Sequence, residues 1–199
     1  MYRCEGSAGP PAPHASVVDA SDARLLGEVA GGDRLAFERL YRSYFPRLTR
    51  FLNRMTRNLQ LIEEIVNDTM LVVWNKATTY DASCKVSTWV FAIAYRKACK
   101  AIHGCEEAVD DDPDLREAEP GWRPDVRFAR TRRCQAVDAA IETLPLEQRT
   151  VVQLTYFHDM GYADIATVMD CPVNTVKTRM FHARRRLALM LAGEFEEEL

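Results

Sequence analysis

The sequence predicts an all-α protein: two small helical domains joined by a flexible acidic linker, the carboxy-terminal domain carrying a helix-turn-helix. Three observations lead there. No stretch of useful length alternates apolar and polar residues as a half-buried strand would, whereas most of the chain repeats its apolar residues at the helical period. Charge is segregated: residues 22–103 hold thirteen Lys and Arg against eight Asp and Glu, residues 104–126 two against nine, and residues 127–192 ten against six. An acidic, Pro-containing spacer thus divides two basic blocks, and the formal net charge of −3 does not argue against a nucleic-acid partner. Finally, Gly161 to Leu187 reads as two short helices joined by a tight turn, the second strongly basic.

Composition narrows the class further. At 199 residues and 47% hydrophobic content the chain can bury one or two ordinary cores, and two small ones fit the charge pattern better. No apolar run approaches the ~20 residues of a membrane span, and Met1 to Ser21 lacks the basic start and apolar block of a signal peptide, so a cytoplasmic protein is expected. The six cysteines form no CxxC pair, which supports neither a zinc ribbon nor a redox motif and makes reduced, structural thiols the default. Cys99, His103 and Cys105 would bind zinc only if Cys134 or a carboxylate completed a tetrahedron. Without paired ligand spacing, an ordinary helix end is the better reading, with no metal and no cofactor.

Taken in order, residues 1–22 are rich in Ala, Gly, Pro and Ser and are expected to form a disordered tail. The first domain spans 23–103. Its helical pattern begins near Ala23 and strengthens at Phe37, Leu40, Tyr41, Tyr44, Leu48, Phe51, Leu52 and Met55, with Pro46 expected to bend or break it. Past a joint at Arg57 and Asn58, the stretch from Leu61 to Lys76 turns Ile62, Ile65, Val66, Thr69, Val72 and Val73 inward. Glu63, Glu64, Asn67 and Asp68 are left on an acidic edge. No nucleophile, phosphate loop or metal-ligand set accompanies these carboxylates, so a partner surface or plain solvation is preferred to acid–base catalysis, and no enzyme is expected. A polar loop from Thr78 to Val86 leads to a helix opening at Ser87 or Thr88 as cap and running to about His103. That helix interleaves Trp89, Phe91 and Tyr95 with Arg96, Lys97 and Lys100, a pattern suited to a single strand whose bases stack while its phosphates meet cations. Trp89 and Phe91 could equally be core.

Residues 104–126 read as the linker. The second domain, 127–192, has a helix over Phe128 to Leu144 and another restarted by Pro145 and running to about His158, before an acidic tail at 193–199. Within the helix-turn-helix, Ile165, Ala166 and Met169 face inward, Asp170 takes an unusual φ at the turn, and Pro172 sits where a helix start needs no amide. Winding on from Val173 puts Val176, Met180, Ala183, Leu187 and Met190 on a core-facing stripe. The opposite side shows Asn174, Thr178, Phe181 and Arg185, flanked by Lys177 and Arg184 on one side and Arg179, His182 and Arg186 on the other. No carboxylate interrupts the helix before Glu194. Such a surface suits phosphates and base edges.

Three collinear stretches resemble one family. Leu61-Ile-Glu-Glu-Ile-Val-Asn-Asp-Thr-Met-Leu-Val-Val-Trp74 is similar to the polymerase-binding helix of bacterial sigma factors of the sigma-70 type, in their short extracytoplasmic-function group. Ser87-Thr-Trp-Val-Phe-Ala-Ile-Ala94 resembles the start of the promoter-melting helix, and Leu144 to Leu187 the carboxy-terminal DNA-binding module. Where that melting helix commonly continues with Arg-Asn and later an Asp, this chain has Tyr95-Arg96 and Lys100. Asn174 replaces a common Gly, and the family's intermediate domain is missing, as is usual in the short group.

The resemblance implies a promoter-specificity subunit without enzymatic activity or a small-molecule substrate, whose partners are core RNA polymerase and promoter DNA. Glu63, Glu64, Asn67 and Asp68 would then dock on the polymerase. Tyr80, Lys85, Ser87, Trp89, Arg96, Lys97 and Lys100 would melt and hold the downstream element, the loop from Tyr80 to Ser87 taking a flipped base. Asn174, Lys177, Thr178, Arg179 and His182 would meet base edges or nearby phosphates of the upstream element, and Arg184, Arg185 and Arg186 phosphates. A separate anti-sigma partner, rather than a fused inhibitory module, would hold the protein in check. The alternative is a stand-alone helix-turn-helix regulator, which explains Tyr162 to Leu191 but neither the acidic edge nor the Trp89 helix.

Overall fold

The computed structural model describes residues 15–108 and 132–196, which form eight α-helices and no strand. They are α1 (Ala15–Ala30), α2 (Arg34–Leu52), α3 (Leu59–Lys76), α4 (Val86–Ala108), α5 (Arg132–Glu142), α6 (Leu146–Tyr156), α7 (Tyr162–Met169) and α8 (Val173–Glu196). Two compact units result. Helices α1 to α4 pack on one another in the first; in the second, α5 and α6 pack against α8.

The first helix corrects the expected tail. It starts at Ala15, not near Ala23, and it is tied down by a buried polar group as well as by apolar ones. Leu26 and Val29 are buried, and so is Asp22, which accepts a 2.6 Å hydrogen bond from the Tyr44 hydroxyl and lies 3.9 Å from an Arg47 nitrogen. Arg47 in turn covers the Tyr44 ring at 4.8 Å and the Phe91 ring at 5.7 Å. Composition weighs apolar residues, so an anchor made by an aspartate escapes it.

Between α1 and α2 the chain reverses at Gly31 and Gly32. Gly32 adopts φ +87°, a region that an L side chain rarely enters, and Asp33 then caps α2 by accepting from the amides of Leu35 (2.8 Å) and Ala36 (3.2 Å). Such a cap contributes about 1 kcal/mol. Helix α2 buries Ala36, Leu40, Tyr44, Leu48, Phe51 and Leu52 and runs unbroken through Pro46. Pro46 is exposed, and the acceptor its missing amide abandons belongs to Arg42, also on the solvent side, where solvent has access to it.

Asn58 caps α3 through the Leu61 amide (3.1 Å), and the buried set Ile62, Ile65, Val66, Thr69, Met70 and Val73 differs from the expected one only in Met70, with Val72 half-buried. Helix α4 opens at Val86, ahead of the expected Ser87 or Thr88 cap. Both hydroxyl residues are buried, and the first-turn bond runs from the Trp89 amide to the Lys85 carbonyl (3.0 Å). It continues to Ala108, five residues beyond the expected end at His103.

In the second unit, Phe128 to Thr131 of the expected helix lie outside the described residues, and α5 ends at Glu142. Pro145 starts α6, whose Val151, Val152 and Leu154 are buried. Ile165, Ala166, Val168 and Met169 bury one face of α7. The turn that follows places Asp170 at φ +50°, where Asp is tolerated more readily than most residues, and the Cys171 amide donates back to the Ala166 carbonyl at 3.0 Å. Pro172 accepts from the amides of Thr175 (2.9 Å) and Val176 (3.3 Å), opening α8. Val176, Met180 and Ala183 are buried and Leu187 half-buried, but Met190 is 41% exposed: the expected stripe leaves the core after Leu187. Its sulfur instead accepts from the Thr143 hydroxyl at 3.2 Å.

Candidate nucleic-acid and protein interfaces

Seven of the eight residues expected to meet the upstream element lie exposed on α8: Asn174, Lys177, Thr178, His182, Arg184, Arg185 and Arg186. Between them stands Phe181, 62% exposed, with its ring 5.5 Å from that of His182. The Thr178 hydroxyl donates to the Asn174 carbonyl at 3.0 Å. Arg184 donates to the Tyr156 hydroxyl oxygen at 2.8 Å and lies over that ring at 5.9 Å; the hydrogen bond favours the charged guanidinium and pushes its pKa up. Arg179 is the exception. Its side chain is only 20% exposed, with Nη2 2.6 Å from a Glu147 carboxylate oxygen and Nη1 3.5 Å from the Cys171 sulfur.

The expected melting residues are distributed less evenly. After a 3-10 turn over Ala77–Thr79, the Tyr80 ring sits 5.5 Å from Trp89 and its hydroxyl donates to the Cys84 carbonyl. Partial burial first, then the charges of Cys84, Asp19 and Asp81, raise the Tyr80 pKa, so the phenol stays a neutral donor. Asp81 accepts from the Ser83 amide at 3.0 Å, and its pKa is lowered by its hydrogen bonds to Ser83. Ala82 at φ +57° completes the loop. Ser87 does not lie open at a strand-facing surface as expected: it is buried, and its hydroxyl donates to Asp19 at 3.4 Å, with Lys85 4.0 Å from the same carboxylate. Trp89 is half-buried, and Arg96 and Lys100 are exposed one helical turn apart. Lys97 donates to Asp68 at 2.8 Å.

Glu63, Glu64, Asn67 and Asp68 are all exposed on α3. Two of them are held: Asn67 accepts from the Tyr41 hydroxyl at 2.9 Å and Asp68 from Lys97. Beside them runs an aromatic row in which Phe37 meets Trp74 edge-on at 5.1 Å and Tyr41 stacks on Phe45 at 5.6 Å. Sequence reasoning missed Leu71, 57% exposed and one turn beyond Asn67, although an apolar residue on the polar side of a helical period is a readable signal. It also missed an apolar groove in the second unit, lined by Val137, Ile141, Val152, Tyr156, Phe157 and Leu187. The adjacent Tyr156 and Phe157 at the end of a helix were its only trace.

Among the described residues no group of His, Cys, Asp and Glu could hold a metal ion. Cys99 is half-buried, while the side chains of His103, Cys105 and Cys134 lie outside the described residues. No described helix is long and apolar enough to cross a membrane.

Two family models match the chain: sigma-70 region 2 over residues 40–104 and sigma-70 region 4 over residues 134–187. Among curated proteins, the RNA polymerase sigma-H factor of Pseudomonas aeruginosa is 25% identical over 83% of this chain and 91% of its own length. The ECF RNA polymerase sigma factor RpoE of Cereibacter sphaeroides is 28% identical over 78% and 86%, and SigM of Mycobacterium tuberculosis 29% over 86% and 85%. The fold is shared with the sigma factor RpoE of Bartonella quintana, solved with the anti-sigma factor NepR (TM-score 0.67, 22% identity, 78% of this chain and 96% of that one). It is shared also with CnrH, solved with the cytosolic domain of CnrY (TM-score 0.64, 20% identity, 87% and 98%). Region 2 falls within α2 to α4 and region 4 within α5 to α8, together more than half of the chain, which belongs to the sigma-70 family of RNA polymerase sigma factors, in its extracytoplasmic-function group.

Proposed function

We propose that this chain is a promoter-specificity subunit that binds core RNA polymerase, carries it to particular promoters and helps to open the DNA. The observation that carries the reading is the pairing of two different surfaces in one chain: an acidic helix face ending at an exposed leucine, and a helix-turn-helix whose second helix is lined with exposed cations. A stand-alone regulator needs only the second.

On α3, the exposed residues Glu63, Glu64, Asn67 and Asp68 lead over two turns to the exposed Leu71, and we assign this face to the polymerase. An exposed apolar anchor beside polar and charged residues suits a protein interface, and the Tyr41 and Lys97 contacts hold Asn67 and Asp68 in place beforehand. On α8, Asn174, Lys177, Thr178 and His182 are assigned to the major groove, and Arg184, Arg185 and Arg186 to phosphates. Opening the duplex costs a few kcal/mol per unstacked base, and no reaction of the chain's own is required to supply it. We assign that work to the Tyr80 and Trp89 rings, as stacking surfaces, and to Arg96, Lys97 and Lys100 as phosphate contacts, with Lys97 leaving Asp68 to take part. Ser87 and Lys85, engaged by Asp19, hold the base of the loop instead. The domain of α1 to α4 is proposed for polymerase and downstream DNA, and that of α5 to α8 for upstream DNA.

The apolar groove beside Arg184 and the α3 face are the surfaces proposed for a protein inhibitor, in keeping with the two proteins of this fold solved with a bound protein partner, one of them an anti-sigma factor. The chain would act in the cytoplasm, where polymerase and DNA are. Transcription in vitro with purified core polymerase on genomic templates tests the reading. Discrete, promoter-directed starts above those of core alone are expected, and their absence would sink it.

A further inference from the structure

Arg179 lies in the half of α8 assigned to reading DNA, yet its guanidinium points into the protein. Its fork is divided between Glu147, in the first turn of α6, and Cys171, in the turn before α8. One side chain therefore joins three segments: the start of α6, the helix-turn-helix turn and the second turn of α8. We infer that Arg179 reads no base, and that Glu147 and Arg179 together form a positioning pair that sets the pose of α8, so that Asn174, Lys177 and Thr178 meet their base edges. The inference rests on the promoter reading above and deepens it.

Three physical points support this assignment. To reach a guanine edge, Arg179 would have to leave a 2.6 Å charge-assisted hydrogen bond. Its departure would strand the Glu147 carboxylate, 59% exposed, next to a surface that must approach phosphates, where like charges repel. And the half-exposed pair adds little to stability by itself, so its value lies in geometry: base-edge contacts demand that the reading side chains be held within a fraction of an ångström by a second layer of contacts. Lys177 and Thr178, immediately before Arg179, are exposed and are the side chains such a layer would aim.

The test uses full-length protein with core polymerase, and duplexes whose upstream element is selected from random sequence by the wild-type complex. Affinities for that element, for each single-base-pair change in it and for random DNA give a discrimination profile. Glu147→Ala, with Glu147 exposed and the fold checked by circular dichroism and melting temperature, is expected to flatten the profile at several positions, lowering the specific-to-random ratio by about tenfold, the scale of one mismatched base pair. Arg179→Ala should give the same pattern. The exchanged pair, Glu147→Arg with Arg179→Glu, should recover most of the ratio, which loss of a direct reader would not allow. Full discrimination in Glu147→Ala, loss confined to one base pair in Arg179→Ala, or a folded exchange variant no better than the single ones would each overturn the inference. A wild-type complex from which no preferred element can be selected would instead overturn the promoter reading itself.

Discussion

Tyr44 is the residue on which α1 depends, and its chemistry gives a pH signature. It is fully buried, and burial first, then the neighbouring Asp22 charge, push its phenol pKa far above the ordinary value near 10. The folded state therefore keeps the Tyr44 proton at pH values where the unfolded chain has lost it. Stability from this group is complete below pH 10 and falls as pH rises beyond it, by up to about 1.4 kcal/mol per pH unit. Tyr44→Phe should lose about 1–3 kcal/mol at neutral pH, because Asp22 is left with a weaker set of partners, but should show a shallower decline above pH 10. Urea titrations of both proteins from pH 7 to 11 check this, and parallel declines would refute it. On α8 the residue-scale contrast is between charge and code. Arg185→Ala or Arg186→Ala should weaken binding to every sequence alike and reduce the salt slope by about one unit, while Lys177→Ala should cost roughly 1–3 kcal/mol at particular base pairs. Filter binding across salt concentrations on specific and random duplexes separates the two, and equal losses on both DNAs for all three variants would refute the division.

At the scale of elements, legibility followed the kind of signal each helix carries. Strong apolar periods, as in α2 and α3, and the small-residue turn before α8 could be read directly, including the positive φ of Asp170. What escaped were elements fixed by contacts distant in sequence. The start of α1 depends on Asp22 meeting Tyr44, and the burial of Ser87 on Asp19, neither of which leaves a local pattern. Pro46 was legible as a residue but not in effect, since the cost of a helical proline depends on whether water reaches the orphaned carbonyl. The α3 face is the element where a partner surface can be tested without disturbing the fold. Glu64→Lys and Leu71→Asp alter exposed positions, so melting should shift little, whereas affinity for core polymerase should fall at least about tenfold, as expected when an apolar anchor or a charge beside it is removed. DNA binding by α8 should be unchanged. Co-elution with core polymerase in titrated amounts is the measurement, and undiminished co-elution would remove α3 from the interface.

For the whole molecule, an all-helical chain of two units was legible because the segregation of charge and the missing strand period are global properties that no single contact can mask. The pairing of surfaces within each unit was not: Leu71 and the Tyr156–Phe157 groove depend on which side of a helix the fold covers. Those surfaces carry the last expectation. A specificity subunit able to bind polymerase whenever it exists would compete continuously for it, and occupancy of the same face by a second protein would prevent that. A partner that lays an amphipathic helix across Leu71 and presents cations to Glu63, Glu64 and Asp68 would exclude polymerase by mass action, with inhibition rising as its concentration passes its Kd. Affinity capture of the chain from uninduced cells should recover a small second protein in place of polymerase subunits. Purified, that protein should displace core polymerase in a saturable manner and should lose affinity for the Leu71→Asp variant. Recovery of polymerase alone, or a ternary complex that retains both, would show that control does not act through this face.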